Sequence, residues 1–433
     1  MTALPLAVPP DLRRRAIAVA TEVADRLRSP EPVTTTALRA RRPAGHPSWD
    51  PSSLLLGHPG VAVLHATMSV ADPSWAMATH AHLAAAASGA GADLVPAAVL
   101  HGSVHGGYPK LLRTLAHALA EASEQQVEAQ VRRAAQDGPW LAVADYDVVS
   151  GLSGKGRLLL ALGDDRSSDA LHTTLRHLVA CTLPVTAHGA SVPGWWCRGD
   201  DPAELPHGYL DAGLAHGVAG PLALMALAHD RGHRVEGMPE AMRTIADWLL
   251  RRATADEYGL LWPSRVSFAQ ETGAEPVTPD AVKAAWCYGI AGVARALHLA
   301  GIALGDRQLC ATAVQALRGA VLRPWSDAQL VGPTVCHGAA GLLQVVLRVT
   351  ERDPDPVLQG AAGLLAQRVL YDFDRTTPFG FRHAHRTRSG RVVGVDEPGL
   401  LQGAAGVALV LATFAHHPGT VGPDVWDAPL LLS

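Results

Sequence analysis

The chain has 433 residues, 48% hydrophobic and 18% charged, enough to bury a large core and, on length alone, two or three domains. A formal charge of -4 provides no basic surface for nucleic acid or an anionic membrane. Five cysteines, scattered and odd in number, make no disulfide framework and fit a reducing cytoplasm. The segment MTALPLAVPPDLRRR places no basic residue before its short apolar stretch and interrupts that stretch with proline, so no export signal is expected. The apolar segments 84–100 and 407–414 are broken by polar residues or too short to span a bilayer.

Two helical patterns alternate along the chain. Residues 12–28 predict an amphipathic helix, and Gly57-Gly60 then opens the apolar run VAVLHA. The pair recurs as 73–89 with Ser103-Gly106 and LLRTLAHAL, 121–137 with Gly151-Gly154 and LLLAL, and 167–183 with Gly217-Gly220 and LALMALA. It continues as 238–253 with Gly289-Gly292 and VARALHLA, 306–322 with Gly338-Gly341 and LLQVVLRV, and 356–371 with Gly403-Gly406 and VALVLATF. In 238–253, Met242, Ile245, Leu249 and Leu250 lie on one helical face. Seven apolar helices alternating with seven amphipathic ones predict an all-α fold, an α/α toroid of inner and outer helices in a single domain over 1–433. The small-xx-Gly pairs are expected to let the backbone turn tightly and neighbouring helices approach.

Such a ring gathers the N-terminal ends of its inner helices at one rim, so position relative to the first glycine is informative. Cys287 lies two residues before Gly289, and Cys336 two before Gly338; His216 and His337 each immediately precede a first glycine. Thiolate and imidazole suit zinc, and three protein ligands leave a fourth tetrahedral position open, as catalytic sites do. Cys287, Cys336 and His337 make such a set, although buried thiols also serve as small hydrophobes. Cys181 and Cys310 fall in amphipathic helices and Cys197 in the loop GWWCRGD, so none of them joins it.

WCYG at 286–289, CHGAAG at 336–341, GLAHGVAGPL at 213–222, YDVVSGLSG at 146–154 and the terminal WDAPLLLS resemble the lanthionine synthetase C-like family, the lanthipeptide cyclases, over essentially the whole chain. The resemblance implies an α/α toroid and one zinc ion per chain on Cys287, Cys336 and His337. It implies acid–base work at His216 and Asp147, and places Tyr288 in the site. Many family members carry Arg where this chain has Lys283, which keeps the charge and loses the planar fork of donors. The implied reaction adds a peptide cysteine thiol to dehydroalanine or dehydrobutyrine, giving a thioether ring. The implied partners are a dehydrated precursor peptide, a separate dehydratase that makes the alkene, and export machinery. A glutathione-binding or glutathione-transferring relative, and an idle toroid serving as a scaffold, remain as alternatives.

Other signals carry less. SGLSGKGR lacks the first glycine and the final Ser or Thr of a phosphate loop. DDPAE at 200–204 sits in a Pro-rich loop, and no GxSxG elbow occurs. FRHAHRTRSGR at 381–391 is locally basic and reads as a solvated loop able to touch an acidic stretch of peptide.

Overall fold

Helices dominate the computed structural model, which describes residues 9–87, 109–138, 140–198, 205, 207–278, 282–325, 328–387, 389–416 and 426–433. In chain order come α1 (Pro10–Arg26), α2 (Pro30–Arg39), α3 (His58–Ser69), α4 (Ala76–Ala87), α5 (Pro109–Asp137), α6 (Leu152–Leu162) and α7 (Asp165–Ala180). Strands β1 (Val185–Ala187), β2 (Ala190–Val192) and β3 (Tyr209–Asp211) lead to α8 (Ala219–Asp230) and α9 (Met238–Arg252). Next are β4 (Thr254–Asp256), β5 (Gly259–Leu261), β6 (Arg265–Ser267), α10 (Phe268–Glu271), α11 (Ile290–Leu304) and α12 (Arg307–Leu322). The chain continues through α13 (Ala339–Thr350), α14 (Pro356–Tyr371), β7 (His383–Arg386), β8 (Val392–Val395) and α15 (Ala404–His416).

The two helix classes separate by burial. Every residue of α8 from Ala219 to Ala228 is buried, whereas α9 buries one stripe that includes Met242, Ile245 and Leu249. Each apolar helix packs on the amphipathic helix that follows it: α3 on α4, α6 on α7, α8 on α9, α11 on α12 and α13 on α14; α15 takes α1. One expected boundary is absent. The apolar 111–119 and amphipathic 121–137 run together as α5, because no glycine or proline separates them and the residues around Ala120 favour helix. The copy Ser103-Gly106 lies outside the described residues.

Two compact units are built from non-contiguous segments. The first is Met1–Pro109 with Leu330–Trp426, in which α15 packs against α1, α3 and α13. The second is Lys110–Gln329 with Asp427–Ser433, in which α8 packs between α6 and α11. Among the described residues, four two-stranded sheets not foreseen from the sequence are antiparallel; β3 pairs with β6 so that Asp211 stands opposite Arg265.

Besides the tight turn expected of them, which Gly289 makes at φ 93°, the glycine pairs have a further physical role. The orphan amides at a helix start need acceptors, and α3, α6, α8, α11 and α13 lack a side-chain cap there. The preceding loop supplies backbone carbonyls instead. His58 N donates to Pro51 O at 3.1 Å, Ser153 N to Tyr146 O at 3.3 Å, and Val218 N to Asp211 O at 2.9 Å. Ile290 N donates to Lys283 O at 2.8 Å, Ala339 N to Gly332 O at 3.1 Å, and Ala404 N to Glu397 O at 2.9 Å. Each bond reaches seven residues back. The loop lies so close that a Cβ at Gly292 would overlap the carbonyl oxygen of Trp286, and one at Gly406 that of Leu400. The glycines therefore admit the helix's own preceding loop. By contrast, α7, α12 and α14 use ordinary aspartate caps, Asp164, Asp306 and Asp355.

Candidate metal and acid–base centre

Adjacent capping loops are tied to one another through the residue two before the first glycine. In the second unit, Leu214 N and Ala215 N donate to Cys287 O at 3.1 and 3.2 Å, and Val148 N donates to Ala215 O at 3.0 Å. In the first unit, Cys336 N donates to Leu401 O at 3.0 Å, and Leu401 N to Leu55 O at 2.9 Å. Both cysteines thus occupy the same register position, held by the same kind of backbone bond. Neither is in a disulfide; Cys336 is buried and Cys287 half-buried.

Within the second unit, the tied loops bring together Asp147, His216, Lys283, Cys287 and Tyr288. His216 Nδ1 lies 2.7 Å from Asp147 Oδ2. Asp147 is fully buried, and its Oδ1 accepts from Ser150 N at 2.8 Å and Ser150 Oγ at 3.2 Å. That pairing holds the half-buried His216 imidazole above its ordinary pKa, against the opposing pull of burial. Because a carboxylate accepts, Nδ1 carries the hydrogen of this bond, and Nε2 is the nitrogen that can exchange a proton.

Tyr288 donates its hydroxyl to Asp211 Oδ2 at 3.0 Å. Burial, with the neighbouring carboxylate, pushes the phenol well above its ordinary range. Asp211 has no exposed surface; it accepts from Gly213 N at 2.9 Å and faces Arg265 Nε at 3.6 Å. Burial raises its carboxyl to about 6. Lys283 donates to Ser264 Oγ at 2.8 Å, and its ammonium lies 5.7 Å from the Tyr288 ring centroid.

Asp211 and Arg265 were missed in the sequence. A signal existed: Asp211 lies six residues before its repeat's first glycine, as do Asp145, Lys283 and Glu397. His337, in the first unit, packs edge-on against His383 with ring centroids 4.9 Å apart. Cys181 and Cys197 are thiols that burial pushes up to about 12, which removes them from thiolate chemistry near neutrality.

Two thiolates and one imidazole make a donor set that fits zinc and leaves one position open. Comparisons with known proteins identify what the chain resembles. The family model for lanthionine synthetase C-like proteins matches residues 48–419. The chain is 28% identical over 301 residues to the nisin biosynthesis protein NisC of Lactococcus lactis subsp. lactis, covering 66% of this chain and 64% of that one. It therefore spans just under two thirds of that relative's length. The solved structure of a nisin cyclase superposes with a TM-score of 0.73 at 18% identity, covering 98% of both chains. At that identity the likeness shows the fold, and the fold class is the α/α toroid expected from the repeats.

Proposed function

The chain belongs to the lanthionine synthetase C-like family, and from that premise we propose that it is a zinc-dependent lanthipeptide cyclase. It takes a dehydrated precursor peptide from a separate dehydratase and adds cysteine thiols to dehydroalanine or dehydrobutyrine, closing lanthionine or methyllanthionine rings. Residues 1–433 act as one domain, in a reducing cytoplasm and alongside export machinery. The observation that most supports this reading is the buried Asp147 carboxylate gripping His216 at 2.7 Å, on loops tied by backbone hydrogen bonds to Cys287.

Cys287, Cys336 and His337 are proposed to hold the ion together. Bound there, zinc would lower the pKa of a substrate thiol, ordinarily about 8.5, and keep the sulfur nucleophilic beside two thiolate ligands. Forming the carbon–sulfur bond at the β-carbon moves the alkene's electron pair to an enolate, which takes a proton at the α-carbon. His216 supplies that proton through Nε2, while Asp147 keeps the ring in one tautomer and favours its charged form. With both oxygens engaged and no exposed surface, Asp147 orients the imidazole, and His216 carries the proton. Tyr288, fixed by Asp211, shapes the wall beside Cys287. Lys283 offers a cation to the substrate's carbonyl groups or carboxylates.

Incubation of the zinc-loaded chain with a dehydrated peptide should remove alkylatable thiols with no change in mass. Persistence of every thiol across cognate peptides would overturn the reading, and capture of glutathione in the same assay would favour a glutathione-binding role. Cys287→Ala and Cys336→Ala should each abolish ring formation and lose one zinc per chain relative to the wild type.

A further inference from the structure

The basic segment 381–391 folds as part of a hairpin whose histidines face a third histidine of the same unit. His383 and His385 stand two residues apart on β7, so their side chains leave the strand on one side. His46, in the loop after α2, completes the group: a ring nitrogen from each of the three lies within 4.8 Å of the other two. The rings of His46 and His383 have centroids 5.4 Å apart, and those of His46 and His385 5.3 Å.

We propose that His46, His383 and His385 form a second metal site, distinct from the cysteine-containing one, for a divalent transition ion of borderline softness such as Zn2+ or Co2+.

The hydrogen bonds specify which nitrogens are available. His46 Nδ1 lies 2.9 Å from Pro47 O; a carbonyl only accepts, so Nδ1 bears the hydrogen and Nε2 of the neutral ring is a bare lone pair. That Nε2 is buried and has no hydrogen-bond partner among the described residues. His383 offers a related arrangement: its Nδ1 lies 3.1 Å from Thr334 Oγ1, a hydroxyl that can accept as well as donate, and its Nε2 is buried without a partner among the described residues. A buried polar nitrogen left unmatched is unfavourable, and two of them in one cluster point to a shared ligand that accepts lone pairs. Metal-bound histidines have this form, one nitrogen on the ion and the other tied to a carbonyl, hydroxyl or carboxylate.

A carboxylate is also in place. Glu397 Oε1 lies 3.9 Å from His46 Nδ1 and 2.8 Å from Arg42 Nε. It stands on the nitrogen of His46 that faces away from the open lone pair, where it would offset part of the ion's charge. An all-imidazole set favours zinc, cobalt, nickel or copper over the hard cations that seek oxygen. The ion would fasten the loop carrying His46 to the β7–β8 hairpin, next to the ring of His337.

Titration of chelator-treated chain with Co2+, followed by visible spectroscopy, separates the two sites. The wild type should bind two equivalents, only one of them with thiolate-to-metal charge transfer. His385→Gln and His46→Gln should each lose the equivalent without charge transfer and keep the other, with circular dichroism reporting the fold. Cys336→Ala should lose the charge-transfer band and retain one equivalent. A single equivalent in the wild type that shows charge transfer, unchanged stoichiometry in His385→Gln, or loss of both equivalents in Cys336→Ala would each overturn the proposal. Loss of only the charge-transfer equivalent from the wild type would instead count against the cyclase reading and leave the histidine site standing.

Discussion

At the residue scale, the acid–base pair makes the sharpest claims. Asp147 raises the pKa of His216, so the imidazolium persists to higher pH than a lone histidine would allow. Asp147→Asn should move the alkaline limb of the rate profile to lower pH, and His216→Ala should lower the turnover number by ~10²–10⁴-fold. The same raised pKa fixes the sign for stability. The pair's contribution is complete below the unfolded value of about 6.5 and disappears as pH rises through the folded value. The stability gap between wild type and Asp147→Asn, measured by urea unfolding, should therefore be wider at pH 5.5 than at pH 8.5; an equal gap would contradict the pairing. His216, His337 and both candidate cysteines could be singled out because they lie one or two residues before a repeat's first glycine, while Asp147 came from the family resemblance alone. Asp211 and Glu397 escaped because they lie six before it, a position whose side chains vary in type from Pro51 to Lys283. The histidines at 383 and 385 read as a solvated loop because no local pattern reveals that His46, more than 330 positions earlier, folds against them.

At the element scale, alternating apolar and amphipathic helices could be read because burial on all sides and burial on one side leave different periodicities. The split expected inside α5 failed for want of a stop signal, and the short antiparallel pairs were hidden because strands of three or four residues carry too little alternation to register. The glycine pairs were read as admitting close neighbours, and the preceding loop joins those neighbours. Since a side chain at Gly292 or Gly406 would collide with a backbone carbonyl, alanine at either position should destabilise by ~1–3 kcal/mol, despite alanine's better helix propensity. Thermal unfolding checks this. The contact between α3 and α4 adds a pH effect of its own. His58 Nδ1 meets His82 Nδ1 at 2.9 Å, while His82 and His65 both reach Leu27 O, at 2.7 and 3.1 Å. Burial lowers His58 and His65 to about 4 and His82 to about 3. The unfolded chain takes up these protons at about pH 6.5 and the folded chain far lower, so stability should fall as pH drops below 6.5. Each histidine contributes a slope approaching ~1.4 kcal/mol per pH unit. Replacing His82 by Gln should remove about one proton from that slope in urea titrations between pH 7 and 5.

At the scale of the whole molecule, neither compact unit is a continuous stretch of chain. The sequence predicted one domain from an unbroken series of repeats; pairing of α1 with α15 lies beyond what local periodicity reveals. Among the described residues, no helix is long and apolar enough to cross a membrane. The second unit is finished by its last segment, 427–433. Arg157 Nε donates to Ser433 O at 2.8 Å, Arg295 Nε to Leu432 O at 3.0 Å, and Trp286 Nε1 to Leu430 O at 3.0 Å. Both arginines are buried. Deleting 427–433 strips these acceptors from two buried guanidinium groups and should cost ~3 kcal/mol or more. It should also lower metal affinity, since Trp286 adjoins Cys287; equilibrium unfolding and zinc retention during dialysis measure the two effects. This late-arriving tail also sets a schedule on the ribosome. The unit that holds Asp147 and His216 stays incomplete until residues 427–433 have been translated, so a product interrupted before them exposes an unfinished core to proteases.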